Sequence, residues 1–299
     1  MLSKYSSRFL LIFTTVFLYQ VVLVLAVTYN DLVPKATGYK MGAKVYNRNL
    51  KTPGTPGVSN WHVAQWENAY ELNAFNNQYS VANPSSRVVF TPGNDTIELA
   101  LNGNLLGCGV EANLFAEPTT SNTYDTAPFV PAIEGPLANN GKQLLHTINV
   151  RPYYIQQVAS SCITQATFIT SFVLKNYDAP SLTLFYQLNL HYASVSPSRV
   201  PNKNWFFNGA ATNTTNTWGY DDVIASYELT YPTVGQTLVF SKDVKPRLRQ
   251  VVADTANNIP AAYKNPDRWY IQSTYYGPHV WGGLITTYFA SNFRLAEMW

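Results

Sequence analysis

The chain has 299 residues, of which 20 are Lys or Arg and 17 are Asp or Glu, so its formal net charge at pH 7 is +3. Only 12% of the residues are charged, whereas 14% are aromatic. Cations and anions are intermixed along the chain, which argues against a nucleic-acid-binding protein, because such proteins cluster Lys and Arg on one face. We therefore expect a neutral, polar surface and no nucleic-acid partner.

Residues 1–26 predict a cleaved signal peptide. Lys4 and Arg8 precede an apolar run over 9–26, which is the arrangement of a secretory export segment. We place cleavage after Ala26 and expect residues 27–299 to form a single β-sandwich domain of a secreted, extracellular protein. The alternative is an uncleaved anchor, since the run approaches the roughly 18 residues that span a bilayer. Contact with a membrane is expected only in that case.

The chain has two cysteines, Cys108 and Cys162. In an oxidising compartment they favour a disulfide bond, and two buried free thiols are the alternative. Asn94 and Asn213 begin Asn-X-Thr sequons and are candidate glycosylation sites in surface loops. A disulfide and glycans at these residues are both compatible with export.

Alternation of apolar and polar residues with period two predicts an all-β fold. Such alternation occurs over 96–101, 182–192 and 227–231, and further strands are predicted over 87–90, 110–115, 144–150, 153–158, 164–174, 236–240, 268–276 and 284–295. In the strand over 182–192, Leu184 and Tyr186 belong to the predicted buried face. Gln187, Asn189 and His191 belong to its polar face.

One short helix is predicted near the C-terminus, over 241–254. Its apolar residues recur at helical spacing, Asp243 can cap its start, and Pro246 fits its first turn. Asn102-Gly103 predicts a tight hairpin. Many short strands separated by turn signals predict a two-sheet antiparallel β-sandwich, or jelly roll, that carries this one helix.

Motifs for nucleotides, zinc proteases and calcium loops do not occur in the sequence, and no cofactor is expected. The histidines are His62, His146, His191 and His279. They are far apart in sequence, so a metal site would have to be assembled by the fold, and we expect none.

The aromatic residues favour a polysaccharide or glycan as partner. Sugars stack their C–H faces on aromatic rings, and their hydroxyls bond to Asn, Gln, Asp and His. Candidate ligand contacts combine both kinds of residue: Gln187, Asn189, His191, Trp218, Tyr220, Asp222 and Tyr270. For any single ring, burial in the core is the alternative.

Hydrolysis of a glycosidic bond requires two carboxylates beside a groove. Glu98 and Glu228 lie on the polar faces of their predicted strands and are the first candidates for a catalytic pair. Glu67 and Glu71 are a second possible source, and ordinary solvent-facing carboxylates are the alternative. Because sequence spacing does not fix the separation of any pair, the sequence leaves open whether the protein is an enzyme.

The C-terminal part of the chain contains Tyr276-Gly-Pro-His-Val-Trp-Gly-Gly and a strand that closes with Ser291-Asn-Phe-Arg-Leu. This order resembles the closing strands of concanavalin-A-like lectin and glucanase sandwiches. The resemblance implies a bent jelly roll with a carbohydrate groove on its concave face. Those glucanases often carry a catalytic glutamate near such a turn, where this chain has His279. That departure weakens the case for hydrolysis, and Glu228 is the substitute on a neighbouring predicted strand.

Three hypotheses follow. The first is a secreted carbohydrate-binding sandwich, either lectin-like or associated with a wall or coat. The second is a glycoside hydrolase or polysaccharide lyase of the same fold, and the third is a structural extracellular protein without a ligand pocket. Two carboxylates facing each other across a groove would favour hydrolysis. Aromatic rings beside a single carboxylate would favour binding, and burial of all the rings would favour a structural role.

Overall fold

A computed structural model describes most of the chain after residue 26. The described residues are 27–33, 41–45, 61–66, 68, 70, 72, 80–90, 95–106, 110–118, 137, 139–158, 164–194, 203–207, 217–257 and 259–299. The predicted signal peptide, the two cysteines and the two sequon asparagines lie outside these residues, as do Glu67 and Glu71. The disulfide, the glycosylation sites and the export segment stay predictions.

Strands dominate the described residues. In chain order they are β1 (Tyr29–Asp31), β2 (Met41–Val45), β3 (Trp61–Trp66), β4 (Ser80–Ala82), β5 (Ser86–Phe90), β6 (Ile97–Asn102), β7 (Glu111–Pro118), β8 (Gln143–Gln157), β9 (Gln165–Asn176), β10 (Thr183–Ser194), β11 (Asn204–Phe207), β12 (Thr217–Val223), β13 (Leu238–Asp243), β14 (Trp269–Trp281) and β15 (Leu284–Met298). The strands predicted over 144–150 and 153–158 are one continuous strand, β8.

The strands form two sheets. The seven-stranded sheet has the order β13-β8-β15-β6-β5-β4, with β1 also paired to β15. The eight-stranded sheet has the order β11-β12-β10-β9-β14-β7-β3-β2. Neighbouring strands are antiparallel except for the β2–β3 and β10–β12 pairs. The predicted two-sheet, mainly antiparallel β-sandwich is therefore confirmed.

The inner faces of the two sheets enclose an aromatic core. Trp61 of the eight-stranded sheet makes edge contacts with Tyr276 at 5.7 Å and with Phe293 at 5.2 Å, between ring centroids. Phe293 belongs to β15, so these contacts join the two sheets. Aromatic pairs in this geometry add stabilisation beyond the area they bury.

Two buried histidines also connect the sheets. His146 of β8 lies 3.1 Å from the hydroxyl of Thr170 on β9, and its other ring nitrogen lies 3.1 Å from the carbonyl oxygen of Arg294. His191 of β10 lies 2.9 Å from the hydroxyl of Tyr288 on β15. Burial lowers the pKa of each histidine to about 4, so both rings are neutral at pH 7.

The segment after Asn102 does not form the predicted hairpin. A 3-10 turn over Gly103–Leu105 leads from β6 in one sheet towards β7 in the other. A Cβ atom on Gly103 would lie 2.4 Å from the carbonyl oxygen of Gly282, so this position requires glycine. The glycine of this Asn-Gly pair therefore allows the chain to pass close to the backbone at Gly282 as it leaves the sheet.

The predicted helix is confirmed as α1 (Lys245–Ala253), and residues 241–243 belong to β13 instead. A carboxylate oxygen of Asp243 accepts a hydrogen bond from the backbone N–H of Lys245 at 3.0 Å. Pro246 lies in the first turn as predicted. The side chain of Asn257 donates to the carbonyl oxygens of Val251 and Val252, which satisfies the end of the helix. Across the described residues, no helix has the length and apolarity needed to cross a bilayer.

The two core histidines predict how stability depends on pH. In the folded protein the two imidazole rings are protonated only near pH 4, whereas in the unfolded chain they are protonated near pH 6.5. The free energy of unfolding should therefore be highest above pH 6.5 and decline as the pH falls towards 4. Urea unfolding at pH 7.5, 6 and 5 measures this decline. His146→Gln and His191→Gln should each flatten it, and equal stability of the wild type at all three pH values would contradict the assignment.

Candidate active site

The predicted ligand residues of β12 lie on the inner side of the eight-stranded sheet. Trp218, Tyr220 and Asp222 are at most 7% exposed. They pair with Leu184, Tyr186 and Leu188 of β10, which face the core. The expectation that these three residues form an exposed sugar platform is therefore wrong, because strand alternation turns them inward.

Asp222 is the centre of a buried polar cluster. Nε of Arg247 donates to its Oδ2 at 2.5 Å, and the hydroxyls of Tyr186 and Ser226 donate to its oxygens at 2.8 and 2.6 Å. Burial favours the neutral acid, but these hydrogen bonds and the charge of Arg247 outweigh burial and lower the pKa of Asp222. This carboxylate ties β12 to β10 and α1 and has a structural role.

A bulge in β10 separates the residues predicted for its polar face. Gln187 faces outward, but the register shifts between Asn189 and His191. Because one extra residue reverses the alternation, His191 points into the core and reaches Tyr288. The side chain of Asn189 donates to the backbone carbonyl of Asp222 at 2.9 Å, which fastens the end of β12.

The predicted catalytic pair is not brought together. Glu98 lies on the outer face of β6 in the seven-stranded sheet, 3.5 Å from Nε of Arg87. Glu228 is exposed and belongs to no strand, because residues 224–227 form a 3-10 turn that Glu228 ends with a φ of 59°. The strand predicted over 227–231 is therefore wrong. Tyr270 lies on β14, where its ring packs against that of Tyr177 in a tilted arrangement, with ring centroids 4.5 Å apart.

A row of polar side chains crosses the outer face of the eight-stranded sheet. Asp221 pairs with Gln187, Gln187 with Ser171, and Ser171 with Tyr275. Tyr276 pairs with Ala116, which places the preceding Tyr275 opposite Glu117. The row therefore runs over five adjacent strands and has a carboxyl group at each end.

Tyr275 lies in the middle of this row. Its hydroxyl accepts a hydrogen bond from Nε2 of Gln187 at 3.3 Å. Burial, together with the negative charges of Glu117 and Asp221, raises the pKa of Tyr275 to about 12. Tyr275 is therefore a neutral phenol, and the charges of both carboxyl groups act on it.

Asp221 is the acid with the unusual environment. Burial and the negative charge of Glu111 raise its pKa to about 6. Glu111 lies on β7, four strand spacings from β12 and outside the row of Asp221, so a flat sheet would hold the two groups more than roughly 19 Å apart. Because the two carboxyl groups nevertheless interact, the sheet must curve so that its outer face is concave. Asp221 can therefore hold a proton at mildly acidic pH.

Two polar side chains lie beside the carboxyl group of Glu111. The amide of Asn113 donates to its Oε1 at 2.8 Å. The same oxygen lies 3.3 Å from Nε2 of His279, but the indole N–H of Trp281 donates to that nitrogen. An indole N–H can only donate, so Nε2 of His279 accepts this hydrogen bond and carries no proton. Burial lowers the pKa of His279, although the charge of Glu111 opposes the effect.

Apolar side chains surround the polar row. A second hydrophobic cluster, separate from the core between the sheets, contains Ala64, Phe115, Ile169, Val173 and Tyr275, with Phe185 packed against it. These residues alternate with inward-facing residues on β3, β7, β9, β14 and β10. The concave face therefore combines apolar surface with a few polar groups, which is typical of a ligand site.

The sequence carried signals for the residues that sequence analysis missed. In β12, Gly219 and Asp221 alternate with Trp218 and Tyr220. A strand face that carries glycine and aspartate has little apolar surface to bury, so the two aromatic residues are expected on the core face. In β7, Glu111, Asn113, Phe115 and Glu117 alternate with small or apolar residues: Ala112, Leu114 and Ala116. The predicted strand over 110–115 is too short to include Glu117. Across the part of the chain that the structure describes, no three His, Cys, Asp or Glu side chains form a metal-binding group.

Neither a protein-family model nor the sequence of a curated protein matches this chain. Similar solved structures include a loop-swap mutant of Xyn11A from Neocallimastix patriciarum, at 7% identity, with 84% of this chain and 96% of that chain covered and a TM-score of 0.44. A cellulase derived from Cel12A of Rhodothermus marinus matches at 11% identity over 80% and 90%, with a TM-score of 0.38.

A third similar structure is the xyloglucanase domain of NopAA from Sinorhizobium fredii in complex with cellobiose. It matches at 9% identity over 78% of this chain and 95% of that chain, with a TM-score of 0.38. The sandwich fold implied by the C-terminal resemblance is confirmed, and the likeness to these structures concerns the fold alone.

The buried cluster at Asp222 yields a stability prediction. Arg247→Met should reduce the free energy of unfolding by roughly 3–5 kcal/mol, because it leaves a buried carboxylate without its cation. Arg249→Met is the matched control on the same helix. Arg249 pairs with Asp267, whose side chain is 46% exposed, so its loss should cost about 1 kcal/mol or less. Equal losses in the two variants, measured by urea unfolding, would refute the structural role of Asp222.

The interaction between Glu111 and Asp221 can be measured directly. Titration of the Asp221 carboxyl carbon by 13C NMR should give a pKa of about 6. Glu111→Gln removes a negative charge, so the pKa of Asp221 should fall towards its ordinary value. Glu98→Gln, on the other sheet, should leave it unchanged. An unchanged pKa in the Glu111 variant would show that the two groups do not face each other.

Proposed function

We propose that the protein hydrolyses glycosidic bonds of a polysaccharide on the concave face of its eight-stranded sheet. Asp221 is the general acid and Glu111 supplies the second carboxylate. The observation that carries the proposal is the pKa of about 6 at Asp221, which burial and the negative charge of Glu111 on the same face raise together. The predicted export segment would deliver such an enzyme to extracellular polysaccharides.

Asp221 suits the role of proton donor. A glycosidic oxygen leaves as an alcohol only if it receives a proton, and a general acid works best with a pKa close to the operating pH. Burial and Glu111 together keep the proton on Asp221 at mildly acidic pH. An ordinary aspartic acid, with a pKa near 3.9, would already be ionised there.

Glu111 suits the role of the second carboxylate. Its charge acts on Asp221, and the amide of Asn113 donates to its Oε1 at 2.8 Å. A negative charge here stabilises the positive charge that develops on the sugar ring in the transition state, and the anomeric carbon finally takes up the oxygen of a water molecule. Glu117 lies six residues later on β7, at the far end of the row, and acts on Tyr275 through its charge.

Tyr275 and Gln187 suit the binding of sugar hydroxyls. Both lie in the cross-strand row that begins at Asp221, and they are linked by a hydrogen bond. A ligand hydroxyl can bond to the Tyr275 phenol, while the apolar cluster around it contacts the C–H face of a sugar. With two carboxyl groups on one concave face, hydrolysis is favoured over binding alone.

The proposal predicts the effect of removing either acid. Asp221→Asn and Glu111→Gln should each lower kcat by about 10²- to 10⁴-fold, measured as reducing ends released from a panel that includes xylan, cellulose and xyloglucan. The exposed Glu228→Gln is the control and should retain full activity. In the wild type, activity should decline above about pH 6, as Asp221 loses its proton.

Two results would contradict this assignment. Binding of a polysaccharide without any release of reducing ends would identify a lectin-like protein. Full activity in both acid variants would place the reaction elsewhere on the molecule.

A further inference from the structure

The outer face of the seven-stranded sheet carries a depression that has no part in the proposed hydrolysis. It has a volume of about 250 Å³ and is lined by Thr96, Asn149, Arg151, Thr237, Phe289 and Ser291. These residues come from two adjacent cross-strand rows of the seven-stranded sheet, because Ser291 pairs with Asn149 and Phe289 pairs with Arg151. The depression therefore lies on the opposite side of the sandwich from Asp221.

A bulge adds a second ring to this face. Thr287 pairs with Tyr154 and Tyr288 pairs with Pro152, so Tyr153 is an extra residue in β8. Proline has no N–H for the sheet and is tolerated at such a bulge. Tyr153 is 57% exposed and meets Phe289 edge to face, with ring centroids 5.3 Å apart. Bulges commonly redirect side chains beside binding sites.

The two rings flank a guanidinium group. The Cζ atom of Arg151 lies 4.8 Å from the ring centroid of Phe289 and 5.6 Å from that of Tyr153. Such contacts hold the planar cation in place without occupying its N–H donors. Arg151 is thus positioned before any ligand arrives.

The charge of Arg151 is not neutralised by an ion pair within the described residues. Glu98 lies on the far side of Phe289 in the same row, but it pairs with Arg87 at 3.5 Å. The guanidinium fork matches the geometry of a carboxylate, with which it forms two parallel hydrogen bonds.

Polar groups complete the depression. Oδ1 of Asn149 is shielded from solvent and has no hydrogen-bond donor within the described residues. A hydroxyl of a ligand can donate to this atom. The hydroxyls of Ser291 and Thr237 line the same depression. A cation, a pair of rings and hydroxyl partners are the groups that a sugar carrying a carboxylate requires.

We propose that this depression is a second binding site, for a uronic acid residue of an acidic polysaccharide. Arg151 binds the carboxylate, Phe289 and Tyr153 contact the sugar ring, and Oδ1 of Asn149 accepts a hydrogen bond from a sugar hydroxyl. No bond is made or broken here. The site does not depend on the proposed hydrolysis, because no residue is shared between the two faces.

The test is calorimetric titration of the purified full chain with a β-1,4-linked glucuronate trimer. The matching neutral glucose trimer and sodium acetate are the comparison ligands. The acidic trimer should bind at least tenfold more tightly than either. Arg151→Gln should weaken its binding at least tenfold, because the carboxylate loses its cation.

Arg268→Gln is the matched control. Arg268 also lies over a tyrosine ring, 5.7 Å from the centroid of Tyr177, but its guanidinium is paired with Asp178. Binding in this variant should stay within twofold of the wild type. Tyr153→Leu, at an exposed position that does not endanger folding, should weaken binding of the acidic trimer about threefold or more.

Three outcomes would overturn the proposal. They are unchanged binding in both the Arg151 and Tyr153 variants, equal affinity for the acidic and the neutral trimer, and equal affinity for acetate and the trimer. Loss of hydrolysis in Asp221→Asn with retained binding of the acidic trimer would leave the second site standing. The failure of either proposal is therefore distinguishable from the failure of the other.

Discussion

The register of five adjacent strands is the constraint on which the candidate site depends. Successive side chains of a strand point to opposite faces, so a slip of one residue in β12 would exchange Asp221 with Asp222. The core prevents that slip, because Trp218 and Tyr220 must face inward together with Asp222. Packing between the sheets thus decides which of two neighbouring aspartates faces the concave side.

These two aspartates differ in their environment. Arg247 and three other donors surround Asp222, and its pKa is lowered. Asp221 is partly buried and faces Glu111, and its pKa is raised to about 6. One residue type therefore supplies a permanent structural anion on one face and an acid that holds a proton on the other. The buried ion pair also fixes α1 against β12, so the position of Asp221 depends on it.

Sequence patterns predicted the sandwich, the helix and most of the strands, because alternation and capping are local signals. They did not predict the site. The bulge at Leu190 turned His191 into the core, and no local signal marked it. The sequence pattern suggests a sugar platform at Trp218 and Tyr220. However, large rings that alternate with Gly219 along a strand are typical of a core face. Glu111 and Asp221 come together only through long-range pairing and the curvature of the sheet, which sequence spacing cannot reveal.

A crystal structure of the Asp221→Asn variant with a bound oligosaccharide would show directly where the substrate lies. We expect a sugar chain on the concave face of the eight-stranded sheet. Its scissile bond should lie between positions 221 and 111, with a hydroxyl bonded to Tyr275. A chain bound away from the concave face, with Glu111 far from any anomeric carbon, would contradict the proposed hydrolysis.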